Sequence, residues 1–591
     1  MCVGAQDSQI QNAKALSEAG RAKEAEVILR AVMKRRPGDA LVFAELAQVL
    51  AQQGQGEQAK FFAEHAGTSK DAVAVDSAGR AMDMLGLTQR SLDLYRRAVV
   101  LDPGMGSSHN GVCVAAMKLR QFDVARRAIE RAIALLPDHP IIGANYAYAC
   151  SETWSLEEGL RALRRARALA PHVVDVQHQM PYLLNYSDGA TREEVFEEHV
   201  RLAHMMGARV PREMDDPPLA VPGPADARRT LRVGLLSADF REHSASRFLE
   251  AILREHDPAQ VRYTLYPSAG PFDDATARMR RWAEGWSEAA MGPQLAAAGA
   301  MRRDGLDILV DLAGLTRGMR EYTLLARAAP VQVSYLGYPN TTGLRTMDAR
   351  IVDSITDPPG AEALATERLV RLDPCFLCFA APEAVRGIGA HAPARDGPVT
   401  FGSFNYLTKI TPTTLDLWRA ILEAAPGSRL LLKAGALSHA DVRARFMDEV
   451  TRRGIDASRV ELAEFAQDLT EHYRLYQRVD VGLDPFPYHG TTTTCEALWM
   501  GVPVMTLEGD RHASRVGASL MSAIGAPELI ARTRDEYVEK GVALAGDAAR
   551  RSAYHAGLRE RLERSPLGDA PAFARRFEAC LRGIWRDKCG G

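Results

Sequence analysis

Three short stretches bring together residue types able to act on a charged ligand. In GSFNYLTKITPTT (402–414) an apolar run ends at Asn405 and Tyr406, Lys409 follows, and Thr411 or Thr413 stands where a helix cap belongs. In VGLDPFPYHGTTTTCEALWMG (481–501) a second apolar run passes through proline and glycine into four threonines, Thr491 to Thr494, that open a helix-like stretch. The amino end of a helix carries unpaired N–H groups and the positive end of its dipole, and hydroxyls there add donors, so this segment suits a phosphate. In SADFREHSAS (237–246) Asp239 and His243 stand in the polar turn after a third apolar run, where a histidine can handle a proton. Each has a plainer use: threonines cap helices, and a lysine or histidine beyond a strand is often only a solvated charge. What singles them out is convergence, a fixed cation and an anion-receptive helix end facing titratable groups. Cys375 and Cys378 form one CxxC in RLDPCFLCFAAP without a second pair or histidines at zinc spacing, so packing is expected of them. Neither GxGxxG, nor a P-loop, nor HExxH occurs.

The elements that must position these residues begin with a chain of 591 residues, too long for one core. Hydrophobic residues make up 46% and charged residues 25%, with a net charge of -2, ordinary for a globular protein and unlike a bulk nucleic-acid binder. The opening MCVGAQDSQIQNAK lacks a basic-then-apolar leader, no apolar run is long enough to span a membrane, and the eight cysteines are scattered. A reducing cytoplasm is the expectation.

The first third repeats itself. GRAKEAEVILRAVMKRRPGD (20–39), TQRSLDLYRRAVVLDPGM (88–105), RQFDVARRAIERAIALLPDH (120–139) and SLEEGLRALRRARALAPHV (155–173) are alike, and Pro103, Pro137 and Pro171 fall 34 residues apart. A small residue lies twelve positions before each proline: Ala25 before Pro37, Ser91, Ala125 and Gly159. Ala59 supplies the missing member, with Asp71 at its proline position. Small side chains let two helices approach, proline ends the second, and stacking hides apolar faces that no single pair can bury. This predicts about five tetratricopeptide repeats over 1–175, a partner-binding solenoid. A helical extension over 176–210 and a proline-rich linker over 211–230 follow.

Beyond the linker, short apolar runs alternate with helical stretches. LRVGLLSADF, VRYTLYP, DILVDLAG and VQVSYLGYP belong to a first set over 231–380. VTFGSF, SRLLLKAG, RVELAEF, VDVGLDP and VPVMTLEG belong to a second over 399–570. A linker over 381–398 separates the sets and a terminal helix over 571–591 closes the chain. The expected fold is therefore an α-helical solenoid followed by two Rossmann-like α/β lobes, whose ligands should lie beyond the carboxyl ends of the strands.

LRVGLLSADFREHSAS, DILVDLAGLTRGMR, PVQVSYLGYPNTTG, FGSFNYLTKITPTTLDLWRAIL and VDVGLDPFPYHGTTTTCEALWMGVPVMTLEGDRHASRVGAS, with the repeats upstream, resemble the O-GlcNAc transferase/SPINDLY family, glycosyltransferase family 41. The layout is similar to bacterial members that pair few repeats with this region and modify flagellin. The resemblance implies a GT-B fold and an inverting, metal-independent transfer from a nucleotide sugar to Ser or Thr of a protein, with no cofactor. It implies that Lys409 neutralises the departing phosphate and that His243 is a base or orienter on the acceptor side, beside Asp239. Asn405, Tyr406, His489, Gly490, Thr491, Thr492, Thr493 and Glu496 would hold the donor, His472 would pack against its base, and Gly337, Tyr338 and Pro339 would shape the cleft wall. Departures fall on donor recognition. Tyr406 replaces a glutamine, Leu469 a lysine near the base, Glu496 a ribose-binding aspartate and Thr491 a histidine of the animal enzymes. The donor therefore stays open between UDP-GlcNAc and a CMP-activated nonulosonic acid such as pseudaminic acid, for whose carboxylate Arg247 and Arg345 are candidate cations. Flagellin on the concave face of the solenoid is the expected acceptor; the alternative is an inactive adaptor or chaperone.

Overall fold

The computed structural model describes residues 2–211, 219, 222–390, 397–464, 466 and 468–590, with side chains from residue 8 on. Much of the 211–230 linker and the middle of the 381–398 linker lie outside the described residues. The chain forms two compact units, Met1–Gln179 with Ser438–Arg445, and Met180–Leu437 with Phe446–Gly591.

The first unit is a stack of helix pairs: Cys2–Glu18 with Ala22–Arg35, Ala40–Gln52 with Gly56–Gly67, Ala72–Met84 with Thr88–Leu101, Gly106–Lys118 with Phe122–Leu135, and Pro140–Glu152 with Leu156–Leu169. The repeated stretches of the sequence fall on these helix pairs. Ala25, Ala59, Ser91 and Ala125 are fully buried, which lets the helices of each pair close on one another. The Ser91 hydroxyl satisfies itself by donating to the Gly79 carbonyl at 2.9 Å on the partner helix. A Cβ on Gly159 would lie 2.8 Å from the Ala147 carbonyl oxygen and 2.9 Å from Cys150 Cβ, so the last pair packs closest there. Asp71, at the position where the other repeats carry proline, caps the next helix by accepting from Val73 N–H at 2.9 Å.

The second unit holds two parallel sheets. In the first, β1 (Leu231–Ser237), β2 (Val261–Pro267), β3 (Gly285–Trp286), β4 (Ile308–Asp311), β5 (Val331–Ser334), β6 (Ala349–Val352) and β7 (Arg368–Arg371) lie in the order β3-β2-β1-β4-β5-β6-β7. Register pairs Val233 of β1 with Tyr263 of β2 on one side and with Ile308 of β4 on the other. In the second sheet, β8 (Thr400–Ser403), β9 (Arg429–Leu432), β10 (Val460–Leu462), β11 (Val481–Leu483), β12 (Val504–Leu507) and β13 (Ile530–Ala531) lie in the order β10-β9-β8-β11-β12-β13. β4, β5 and β11 are buried along their whole length, as strands covered on both faces must be. Crossovers run through helices such as Ser246–Glu255 and Pro412–Ala424. The closing helix Ala570–Lys588 packs on the first lobe, where Glu578 accepts from Asp257 N–H at 2.7 Å and Phe577 meets Tyr335 at 5.0 Å between ring centres. The stretch read as a helical extension is broken: Gln179–Leu184 and Arg192–Gly207 are helical, and the turn between them carries side chains to the site below. No helix of the described residues is long and apolar enough to cross a membrane.

Candidate active site

Lys409 ends a one-turn 3-10 segment, Leu407–Lys409, just beyond β8. Thr411 caps the helix Pro412–Ala424, accepting from Thr414 N–H at 3.2 Å. The hydroxyls of Thr411 and Thr414 both donate to the Phe486 carbonyl, at 2.7 and 2.8 Å, and tie this loop to the one after β11. The Lys409 ammonium donates to the His489 carbonyl at 2.7 Å and sits 4.2 Å over the centre of the Tyr488 ring. Three residues after His489 the chain enters the helix Thr492–Trp499. The cation and the threonine cluster thus share one corner.

That helix end is open. Thr491, its N-cap residue, makes no side-chain capping bond, so the first-turn N–H groups are not covered by it. Thr493 donates to Asn405 Oδ1 at 3.0 Å, which joins the β8 exit to the helix. Gly490 fits because a Cβ there would stand 2.5 Å from Thr493 Oγ1 and 2.7 Å from Thr494 Oγ1. Below it, buried Asp484 accepts from Gly490 N–H at 2.7 Å and from the Thr506 hydroxyl at 2.9 Å. Burial pushes the Asp484 carboxyl up and the Lys409 ammonium down, and each opposes the shift of the other through their attraction. A cation desolvated in this way has much to gain from an arriving phosphate.

His489 itself faces inward. Its ring is fully buried, with Nε2 bonded to the Leu507 carbonyl at 2.9 Å and Nδ1 accepting from Gly517 N–H at 3.1 Å. Burial lowers its pKa to about 3, so the imidazole is neutral and structural; only its carbonyl meets Lys409. Tyr338 is likewise interior, accepting from Asn185 Nδ2 at 2.9 Å and bonded to His199 Nε2 at 2.6 Å. It supports the cleft wall from behind, while Pro339 is half-buried. Gly337 passes so close to Leu312 that a Cβ would overlap its carbonyl oxygen at 1.8 Å.

A second cluster lies around the first turn of the helix Leu469–Leu475 and the β9 exit. His472 Nε2 lies 2.9 Å from Glu496 Oε2, Tyr476 donates to the same oxygen at 3.3 Å, and Lys433 Nζ meets His472 Nδ1. Burial pushes the Lys433 ammonium down to about 8. With Lys433 donating to Nδ1, the imidazole carries its proton on Nε2 and passes it toward Glu496. Tyr406 is exposed at the rim.

On the first lobe, His243 Nδ1 accepts from Ala245 N–H at 3.3 Å and stands 3.5 Å from Asp239, which also receives Arg241 at 3.1 Å. Burial lowers the His243 pKa, with Asp239 opposing. The Ala245 bond places the proton on Nε2, a tautomer that donates. Arg247 is buried and ion-paired with Glu242, whereas Arg345 lies on the surface.

The sequence missed Asp484, Tyr488, Lys433 and the segment before the linker. Tyr186, in the turn after Gln179–Leu184, stacks on Tyr488 with ring centres 4.6 Å apart and planes 8° from parallel. The ring beneath Lys409 is therefore backed by a residue more than 200 positions away in the chain. Lys433 could have been found by the rule that found Lys409, a lysine directly after a strand. Tyr186 left no local signal. Cys375 and Cys378 are both fully buried, and Ser519 donates to Cys375 Sγ at 3.6 Å.

A repeat solenoid followed by two Rossmann-like lobes, with a lysine at the mouth of a helix in the second, defines a GT-B protein with a tetratricopeptide array. The chain matches the model of glycosyl transferase family 41 over residues 165–380 and 391–577, and a tetratricopeptide-repeat model over 16–70. It belongs to glycosyl transferase family 41. A solved mutant of the Thermobaculum terrenum O-GlcNAc transferase superposes with a TM-score of 0.81 and 32% identity, over 88% of this chain and 98% of that one. Relatives include proteins of Solanum lycopersicum (39% identity, 69% of this chain and 44% of the relative) and Arabidopsis thaliana (41%, 62% and 40%). Each is described as a probable UDP-N-acetylglucosamine–peptide N-acetylglucosaminyltransferase SPINDLY. The match spans less than half the length of these curated relatives.

Proposed function

We propose that the protein transfers a sugar from a nucleotide sugar to a serine or threonine hydroxyl of a polypeptide, with inversion and without a metal. The observation that carries this is the Lys409 ammonium fixed at 2.7 Å on the His489 carbonyl, at the entry to an uncapped helix. In the reaction the acceptor oxygen bonds to the anomeric carbon as the bond to the phosphate oxygen breaks. The electron pair leaves with the phosphate, where Lys409 and the helix N–H groups meet the growing charge without reorganising. His243, donating through Nε2, orients the incoming hydroxyl, whose proton passes to solvent water as the oxygen attacks.

UDP-GlcNAc is the donor this reading favours. The relatives are named for it, and a carboxylated nonulosonic acid gains little from the two arginines considered for it, since Arg247 is engaged by Glu242 and Arg345 is exposed to solvent. Flagellin, presented by the repeats in the cytoplasm, is the first acceptor to try. The test incubates the protein with native flagellin and UDP-, GDP- and CMP-sugars in turn and reads intact mass. An adduct of one N-acetylhexosamine mass from UDP-GlcNAc supports the whole reading; a different sugar changes the donor alone. Binding of a protein partner with no calorimetric affinity for any nucleotide would leave an adaptor instead.

A further inference from the structure

A cavity of about 330 Å³ opens between the two lobes, and neither Lys409 nor His489 nor Tyr488 lines it. Its volume lies at the lower end of small-molecule sites, roughly 300–1,000 Å³. Four guanidinium groups line it: Arg192 from the helix Arg192–Gly207, Arg350 from β6, and Arg511 and Arg515 from the loop after β12. The carboxylates in the lining are Asp357 and Asp510. Both sheets present the carboxyl ends of their strands to this space, where ligands of open α/β sheets bind.

Two of the arginines are incompletely engaged. Arg350 is 4% exposed, and its Nη1 reaches Asp357 at 3.5 Å, but its buried Nη2 has no hydrogen-bond partner among the described residues. The Arg511 side chain is 10% exposed; Nη2 donates to the Ala190 carbonyl at 2.6 Å and Nε to Asp510 at 3.1 Å, while buried Nη1 is also without a partner among the described residues. Asp357 offsets only part of this charge, because His512 and Arg350 share it. Arg515 is held by Glu508 and by the Ile355 and Gly509 carbonyls. Unpaired N–H groups on buried, permanently charged side chains are costly, and two of them on one cavity form a receptor for oxygen acceptors.

We propose that this cavity binds a small oxyanion, a phosphate or a carboxylate group, gripped by Arg350 of one lobe and Arg511 of the other. The site shares no lining residue with the Lys409 corner and stands whether or not the proposed transfer reaction holds. Calorimetric titration of the full chain with inorganic phosphate, and separately with citrate, at matched ionic strength tests it. The Lys409→Met variant serves as the background that removes the cation of the other anion-receptive corner. Binding should persist in Lys409→Met and weaken at least tenfold on adding either Arg350→Met or Arg511→Gln. Arg511→Gln, on a loop, keeps the test open if Arg350→Met fails to fold, and melting curves check both. Phosphate binding without citrate binding, or the reverse, identifies the group preferred. No heat from either anion, or affinity unchanged by both arginine substitutions, overturns the proposal.

Discussion

Lys409→Met removes the charge while keeping most of the side-chain volume. The ammonium it deletes is held by the His489 carbonyl and the face of the Tyr488 ring. Two unit charges about 4 Å apart at an effective dielectric of about 20 attract by roughly 4 kcal/mol. Part of that attraction already operates on the ground-state diphosphate, and only the increase on bond cleavage speeds the reaction. Loss of a comparable transition-state contact costs about 2.7–4 kcal/mol, or about 10²–10³ in rate. Transfer should fall by that factor in single-turnover mass spectrometry at saturating donor, with nucleotide binding weakened less. The sign of the pH dependence follows from burial: Lys409 loses its proton at lower pH than an ordinary lysine, so it is charged below that depressed value and neutral above it. The wild-type kcat/KM should therefore fall on an alkaline limb below the usual lysine value of about 10.4, and Lys409→Met should lack it. A loss under tenfold, with the limb retained, would refute the role given to this cation.

Gly490→Ala should abolish measurable nucleotide affinity by calorimetry while the fold persists, because the added methyl collides with the hydroxyls of Thr493 and Thr494. His243→Ala should lower transfer yet leave donor binding within about twofold, since the ring lies on the first lobe; equal loss of both would misplace it. Tyr338→Phe strands the Asn185 amide and His199, at a cost of about 1–3 kcal/mol that should appear as a lower melting temperature. Gly159→Val forces apart the last helix pair against the Ala147 carbonyl, and about 1–3 kcal/mol of overpacking strain should show as reduced helical signal or earlier melting of the repeats.

The parts of the fold legible in the sequence were those with a strong local pattern. The 34-residue spacing marked the repeats because each small residue sits at a helix contact with no room for more. The long apolar runs marked β1, β2, β4, β5 and β8 to β12 because strands covered on both faces tolerate few polar residues. β3 and β13 are two residues long, too short to produce such a run, and β6 and β7, of four residues each, were not read as strands. At the site, Asn405, Lys409 and the threonines lie in the loops that leave strands β8 and β11 and could be anticipated. His489 could not be sorted by type alone, since a buried and an accessible histidine read identically in one dimension. Arg350 and Arg511 come from different lobes and have no joint signature along the chain.

The turn bearing Tyr186 has a bearing on how such proteins are dissected and diversified. An excised fragment starting at Leu231 would retain every described strand of both sheets yet leave the aromatic platform under Lys409 without its backing ring. The natural seam for exchanging or shortening the repeat array therefore falls upstream of residue 180.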